Sequence, residues 1–226
     1  SFRIGPWIRR EKDKRLYNNL FENNTGDVDG LKKYFLLLTA RKKLYSATGE
    51  NKEQMILFTY QHMKMDFEDL KRFHTELYET IVSNLMPQNK VSVWQAESAV
   101  SVHVRLGDFV SENKELLNIG KNNIRTSIKW YVEIIKKIQD CAGQNIRFDV
   151  FSDGTDEELK EILKLPNTRR VFYGSSIADV IAMSQCKMIV ASGSSFSLWA
   201  RFLGQTSCVA AKGQLKCSTL VDFENA

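Results

Sequence analysis

The sequence predicts an α/β protein in which a Rossmann-like parallel sheet follows a mainly helical first part. From Ala99 onward, short β-branched runs alternate with amphipathic stretches, which is typical of βα units. Before that point apolar residues recur every three or four positions, as between Phe67 and Leu85, which indicates helix. We therefore place a boundary near Val91 to Ser98, with a mainly helical region over 1–96 and a Rossmann-like domain over 97–226.

The composition excludes several classes of protein. Hydrophobic residues make up 43% and charged residues 26% of the 226 residues, so the chain can bury a sizeable core and is not disordered. No run approaches the roughly 20 apolar residues of a membrane-spanning helix. The net charge of +5 is concentrated in Arg9 to Arg15 and Arg41 to Lys43 and favours anionic partners. Nucleic acid ranks last among them, because no recognised binding motif accompanies the charge.

Metal and redox sites are not predicted. The four cysteines lack CxxC spacing and are interpreted as free thiols. The triplet Asp27-Val28-Asp29 lies in a polar, glycine-flanked segment without a preceding apolar strand, so we interpret it as a turn rather than a metal site. The chain begins at Ser1 without an apolar signal-type stretch, as expected of a processed or trimmed protein.

The predicted elements follow from periodicity and end signals. In the first part we expect helices over Leu31 to Tyr45 and from Phe67 to the stop at Pro87. In the second part Thr155 and Glu158 have capping-box spacing, and Gly204 follows the last helix. The expected strands are Ala99 to Val104, Arg147 to Phe151, Arg170 to Tyr173, Lys187 to Ala191 and Ser207 to Ala210. The expected helices between them are Ser127 to Ile138, Asp156 to Leu165, Ile177 to Ser184 and Phe196 to Leu203.

Ligands of open α/β sheets bind beyond the carboxyl ends of the strands, so the residues that follow each strand are the candidates. The first such junction is HVRLGD, residues 103–108. An arginine at that place offers a planar fork of donors suited to a phosphate. The alternative is that Arg105 and Asp108 form only an ion pair while His103 is a satisfied core histidine.

Two further junctions carry small polar residues. Ser152 and Asp153 follow a strand, where they either line a cleft or simply start the next helix. Ser194, Ser195 and Phe196 begin a helix after a Gly/Ser turn, and the unpaired N–H groups of such a helix start attract anions. Between these junctions Asp179 is either a surface helix residue or a bidentate acceptor for a guanine edge.

The ordered set HVRLGD, VFSDG and ADVIAMSQCKMIVASGSSFSLWARFLG resembles the donor half of fucosyltransferases, most closely the α-1,2-fucosyltransferase family, which is glycosyltransferase family 11-like. The resemblance covers about Ala99 to Gly204. It implies a GT-B architecture of two Rossmann domains, with residues 1–96 on the acceptor side. It also implies inverting, metal-independent transfer of fucose from GDP-fucose to a glycan hydroxyl, with no cofactor.

The same resemblance implies roles for single residues. Arg105 corresponds to the arginine that binds the β-phosphate of GDP-fucose, with His103 and Asp108 shaping its loop. Asp179 corresponds to the aspartate that reads guanine. Ser194, Ser195 and Phe196 match the segment that lies against the phosphates, and Ser152 with Asp153 matches a loop that lines the cleft. The compartment implied is the cytoplasm or membrane periphery in a bacterium and the Golgi lumen in a eukaryote.

This chain departs from the family pattern at several positions. Leu106 replaces a second arginine, Ser192-Gly193 replaces the Asn before the serine pair, and Leu198 replaces a tryptophan. No GGLGNQ-type strand and loop precedes residue 99, so the acceptor half is either trimmed or a divergent helical version. That difference keeps a second hypothesis open, a non-catalytic nucleotide-sugar or glycan-binding module. Asp108 and His103 are the nearest candidates for a general base.

Overall fold

The architecture comes from a computed structural model. It describes residues 20–22, 31, 35, 38–39, 41–44, 56–59, 67–94, 100–107, 109–110, 113, 115–116, 123–212 and 214. The chain divides into two compact units. One comprises Ser1–Phe21 with Asp66–Ala226, and the other comprises Glu22–Met65.

The larger unit is built on a five-stranded parallel sheet, as the sequence predicts. The strands are β3 (Val100–Val104), β4 (Phe148–Ser152), β5 (Thr168–Arg170), β6 (Met188–Ala191) and β7 (Ser207–Ala210). Their order in the sheet is β5-β4-β3-β6-β7, so the neighbours of β3 are β4 and β6. Chain order therefore reverses beside β3, and the crevice at such a reversal is where open α/β sheets bind ligands.

Helices cover both faces of this sheet. The helices of the larger unit whose bounds the structure describes are α1 (His74–Ser83), α2 (Pro87–Trp94), α3 (Ile128–Ala142), α4 (Lys160–Leu163), α5 (Ser176–Ser184) and α6 (Ser195–Gly204). Alternate strand residues enter two separate clusters of buried side chains. Val100, Val102 and Val104 pack with residues of α3 and α4, whereas Phe151, Ile189 and Ala191 pack with α5 and α6. Buried faces on both sides explain why β3, β4, β6 and β7 are largely apolar, whereas the edge strand β5 is polar and not buried.

Each strand and helix predicted in the second part has a counterpart. The strand Ser207–Ala210 has the predicted bounds, and the bounds of the others are shifted. The capping box is present: Glu158 N–H donates to Thr155 Oγ1 at 3.2 Å, and Thr155 N–H donates to Glu158 Oε2 at 2.9 Å. Turns occupy residues 156–159 before α4, so the regular helix there is shorter than predicted. The third strand ends at Arg170 rather than Tyr173.

The role assigned to Gly204 is wrong. It is the last residue of α6, and Gln205 takes the left-handed conformation, with φ of 48°. The reason for a glycine is close packing, because a Cβ at position 204 would overlap the backbone oxygen of Ser184 at the end of α5. The same oxygen accepts a hydrogen bond from Thr206 Oγ1 at 3.2 Å.

The first part differs more from the prediction. The predicted helix over Leu31 to Tyr45 is wrong at its end, because Arg41–Leu44 forms strand β1 in the smaller unit. It pairs in parallel with β2, Ile56–Thr59. The sequence RKKL lacks β-branched residues, so it is the pairing with β2 that makes it a strand.

The helix predicted from Phe67 also changes form. A 3₁₀ helix, Glu68–Phe73, precedes α1, and Phe67 before it has a left-handed conformation. The Phe67 ring lies 4.7 Å from the ring of Trp199 and 4.9 Å from that of Phe202. Pro87 does not end this helix, since α1 ends at Ser83 and Pro87 begins α2, a position that suits its fixed φ.

We predict that Gly204→Ala destabilises the protein by about 1–3 kcal/mol, the range for overpacked sites, because α6 must move away from α5 to admit a methyl group. Urea unfolding followed by circular dichroism measures this change. The neighbouring variant Gln205→Gly is the control and should lose no stability, because glycine suits the left-handed conformation. Equal stability of Gly204→Ala and the parent protein would contradict the packing account.

Candidate nucleotide-sugar site

The candidate site is a cleft at the carboxyl edge of the sheet, beside the reversal at β3. It is a small cleft, and part of it is open to solvent. Residues that follow β3, β4 and β5 meet there with the first turns of α5 and α6. The lining residues are His103, Arg105, Phe151, Ser152, Asp153, Phe172, Ser176, Asp179, Met183 and Phe196.

Asp153 organises the turn after β3. Its Oδ1 accepts a hydrogen bond from Leu106 N–H at 2.8 Å, and its Oδ2 accepts one from Gly107 N–H at 3.0 Å. Arg105 Nη1 forms an ion pair with Oδ2 at 2.9 Å, and both side chains are largely buried. The carboxylate therefore ties the β3 turn to the end of β4 and holds the guanidinium on the cleft wall.

Two glycines make this arrangement possible. A Cβ at Gly107 would lie 2.5 Å from Asp153 Oδ2, so a larger residue would displace the carboxylate. A Cβ at Gly154 would lie 2.6 Å from Leu106 Cδ1. The two turns pack against each other, so both glycines permit close approach.

His103 lies at the centre of a buried polar cluster. Its Nδ1 is 2.6 Å from Ser197 Oγ and 3.0 Å from Ser192 Oγ, and the two hydroxyl oxygens are 3.4 Å apart. These contacts connect β3 to the residue after β6 and to the first turn of α6. Burial lowers the pKa of His103 from 6.5 to about 4, opposed in part by the charge of Asp153. The imidazole is therefore neutral at physiological pH.

The start of α6 is fixed by Ser194. Its side chain accepts a hydrogen bond from Phe196 N–H at 3.2 Å and caps the helix. Phe196 faces the cleft, and its ring centroid is 6.1 Å from that of His103. Ser195 is exposed, and the cleft lining includes neither of the two serines.

Asp179 lies in the first turn of α5, and Ser175 caps that helix by accepting from Ala178 N–H at 3.2 Å. Asp179 Oδ1 accepts a hydrogen bond from Tyr173 N–H at 2.8 Å. The carboxylate thus holds the segment that follows β5 and also lines the cleft.

Most of the residues singled out from the sequence converge on this cleft. The structure brings together His103, Arg105, Ser152, Asp153, Asp179 and Phe196. Ser194 and Ser195 lie next to it, at the helix start. Asp108, the third residue proposed as catalytic, lies outside the described residues, so its catalytic role and the alternative in which it only pairs with Arg105 both stay predictions.

Sequence reasoning missed the partners of His103 and much of the apolar lining. Ser197 and Phe151 are spaced as ordinary core positions of a helix and a strand. No local pattern predicts that Ser197 contacts His103 or that Phe151 lines the cleft. Phe172 was included in a predicted strand, yet it follows β5 and is half exposed.

The structure also bears on metals and membranes. Among the described residues no group of three or more His, Cys, Asp or Glu side chains is arranged to hold a metal ion. The Asp27-Val28-Asp29 triplet lies outside those residues, as does Cys217, whereas Cys141, Cys186 and Cys208 are free thiols. In the part of the chain that the structure describes, no helix is both long and apolar enough to cross a bilayer.

Comparison with known families shows the family to which the chain belongs. The sequence model of glycosyl transferase family 11 matches residues 31–218, more than four-fifths of the chain. The chain belongs to glycosyl transferase family 11. This confirms the resemblance on which the residue roles were based and extends it well before Ala99.

A curated family relative is the alpha-1,2-colitosyltransferase of Escherichia coli, which is 30% identical over 132 residues. The aligned part is 57% of this chain and 44% of the relative, so the match spans less than half of the relative's length. No solved structure matches the chain significantly.

We predict that the neutral state of His103 makes this family 11 protein sensitive to acid. The unfolded state binds a proton near pH 6.5, whereas the folded state resists it until about pH 4. The contribution of neutral His103 to the free energy of unfolding is therefore fully present above pH 6.5. The free energy of unfolding falls by about 3 kcal/mol as the pH drops to about 4. Urea unfolding at pH 7 and pH 4.5 measures this loss.

The variant His103→Asn should be less stable at pH 7 but should show a smaller loss between the two pH values. His74→Asn is the matched control, because His74 Nε2 contacts Leu203 O at 2.9 Å, away from the cleft. It should keep the parent's pH dependence. An unchanged pH dependence in His103→Asn would show that another group causes the loss.

Proposed function

We propose that the protein transfers fucose from GDP-fucose to a hydroxyl group of a glycan, with inversion at the anomeric carbon and without a metal ion. The observation that carries this proposal is that Arg105 and the first turn of α6, through Phe196, line one cleft at the carboxyl edge of the sheet. A guanidinium beside a helix start suits a diphosphate. Membership of glycosyl transferase family 11 supports the same class of reaction.

The reaction is a single displacement. The acceptor oxygen bonds to the anomeric carbon as the bond from that carbon to the β-phosphate oxygen breaks. GDP leaves with the electron pair, and the acceptor proton passes to a base. Negative charge builds on the diphosphate in the transition state, and Arg105 would stabilise it. A guanidinium has five N–H donors, so it can hold the Asp153 carboxylate and a phosphate together.

Asp153 has a positioning role in this proposal. It keeps Arg105 on the cleft wall before the donor binds, so less reorganisation accompanies the reaction. The carboxylate also offsets part of the positive charge of Arg105. A phosphate would therefore rely on Arg105 together with the N–H groups at the start of α6, flanked by Ser194 and Ser195.

The described titratable groups favour a positioning role for His103 over a role as general base. Its pKa of about 4 makes it a weak proton acceptor, and its Nδ1 is occupied by Ser192 and Ser197. Asp108 remains our candidate for the base or for shaping the Arg105 loop. At the other end of the cleft, Asp179 would read the guanine edge, and Ser152 would line the cleft between them.

We further propose that this region is the donor half of a GT-B enzyme, with residues 1–96 on the acceptor side. The boundary at residue 97 is likewise a proposal. The helices α1 and α2 precede that residue, and they fall in the same compact unit as the sheet. The donor sugar needs its own test, because the Escherichia coli relative is named for colitosyl transfer. GDP-fucose and a colitosyl donor should be compared in the same assay.

We predict that Arg105→Ala lowers kcat by about 100- to 1,000-fold, the loss of about 2.7–4 kcal/mol typical of a missing transition-state donor. Arg105→Lys should recover only part of this, because an ammonium lacks the planar fork. Turnover of GDP-fucose measured by mass spectrometry, with calorimetric titration of GDP, gives both rate and binding. Arg72→Ala is the matched control, since Arg72 packs over the Phe73 ring. Full activity of Arg105→Ala would overturn the role assigned.

The second candidate function is a non-catalytic nucleotide-sugar or glycan-binding module. It is favoured by one observation: within the described part of the cleft, Asp153 and Asp179 both accept backbone hydrogen bonds, and His103 is held neutral. Such a cleft suits binding without proton transfer. Titration with GDP and GDP-fucose that shows binding but no turnover would select the module over the enzyme.

We predict full activity in the presence of EDTA, because arginine and backbone donors stabilise the leaving diphosphate in this proposal. The measurement is the initial rate with and without chelator. Loss of activity that Mn²⁺ restores would contradict metal independence and direct attention to Asp27 and Asp29.

A further inference from the structure

Phe172 is a half-exposed aromatic residue on the wall of the cleft. Its side chain is 49% exposed, although it lies between two residues, Val171 and Tyr173, that pack against the core. It lines the cleft with Ser176 and Asp179. A large apolar side chain left exposed inside a cleft is a feature of binding sites.

The backbone on both sides of Phe172 is fixed. Val171 N–H donates to Val150 O at 3.0 Å, and Tyr173 N–H donates to Asp179 Oδ1 at 2.8 Å. The Tyr173 ring also packs against Phe151, with centroids 6.2 Å apart. The exposure of Phe172 therefore belongs to an anchored segment, and the ring is presented at the cleft next to the Asp179 carboxylate.

The separation of Phe172 and Arg105 along the sheet edge is comparable to the length of a nucleotide. Phe172 follows β5 and Arg105 follows β3, and β4 lies between these strands. Two strand spacings are roughly 10 Å. This is the scale of the separation between the base and the terminal phosphate of a nucleoside diphosphate. A nucleotide with its diphosphate at Arg105 that runs toward β5 would therefore reach Phe172 with its base.

We propose that Phe172 is the platform on which the nucleobase of the donor stacks, with Asp179 at the edge of that base. The inference rests on the proposed function and deepens it, because it assigns the base-binding end of the cleft. Stacking on an aromatic face is strong enough for its loss to be measured by substitution. The segment after β5 would then have two coupled parts, the ring that stacks and the carboxylate that both holds the segment and reads the base edge.

The test is calorimetric titration of GDP into the full chain and its variants. Phe172→Ala should weaken GDP binding about tenfold or more, the range of a lost stacking contact. Phe172→Leu should also weaken it, because it keeps apolar area but no aromatic face. Phe172→Tyr should keep the parent's affinity. Phe73→Ala is the matched control, since Phe73 is 40% exposed and lies outside the cleft lining.

The outcomes separate this inference from the proposed function. If the parent protein does not bind GDP, the proposed function fails. If the parent binds GDP and Phe172→Ala binds it within twofold, only the stacking role fails. Full affinity in Phe172→Leu would also overturn it, because apolar cover alone would then suffice. Unchanged GDP affinity with a raised KM for the glycan would place Phe172 against the acceptor instead.

Discussion

The Asp153 carboxylate is the interaction on which the rest of the cleft depends. It follows β4, yet its main partners are Leu106 N–H, Gly107 N–H and the Arg105 guanidinium, all from the turn after β3. Two parallel strands are thus joined at their carboxyl ends by one side chain. The same carboxylate forms an ion pair with Arg105 and accepts hydrogen bonds from the two N–H groups. It therefore positions the β3 turn and the Arg105 guanidinium together.

A second set of contacts extends this order across the reversal of the sheet. His103 reaches Ser192 after β6 and Ser197 in α6, so the start of α6 is fixed relative to β3. The neutral state of the imidazole matters here, because a buried charge among hydroxyl groups would be costly. The cleft is therefore built from contacts between β3 and its two neighbours. The side chains that line it come from β3, β4 and the segments that follow β3, β4, β5 and β6.

The sequence was informative where local patterns determine structure. Short β-branched runs predicted four of the five strands of the sheet closely, and the spacing of Thr155 and Glu158 predicted a capping box that is present. The strand β5 overlaps its prediction only at Arg170. The sequence was uninformative where a residue's structure depends on a partner that is distant along the chain. Strand β1 depends on pairing with β2, and Gly204 is explained by an oxygen of Ser184, twenty positions away.

The same distinction holds for the candidate site. Strand-end logic found Arg105 and Asp153, because the carboxyl ends of parallel strands share one edge. Asp179 was singled out on a helix, and the family resemblance gave its proposed role. Strand-end logic could not show that Arg105 is paired with Asp153, which is 48 positions later, or that Ser197 contacts His103. Those contacts follow from strand order and register, which the apolar runs alone do not specify.

The central claim is that a nucleoside diphosphate occupies this edge of the sheet, with its phosphates at Arg105. A crystal structure of the protein with bound GDP tests this most directly. The account predicts phosphate oxygens within hydrogen-bond distance of the Arg105 guanidinium and the base beside Asp179. GDP bound elsewhere, or bound in the cleft without contact to Arg105, would contradict it.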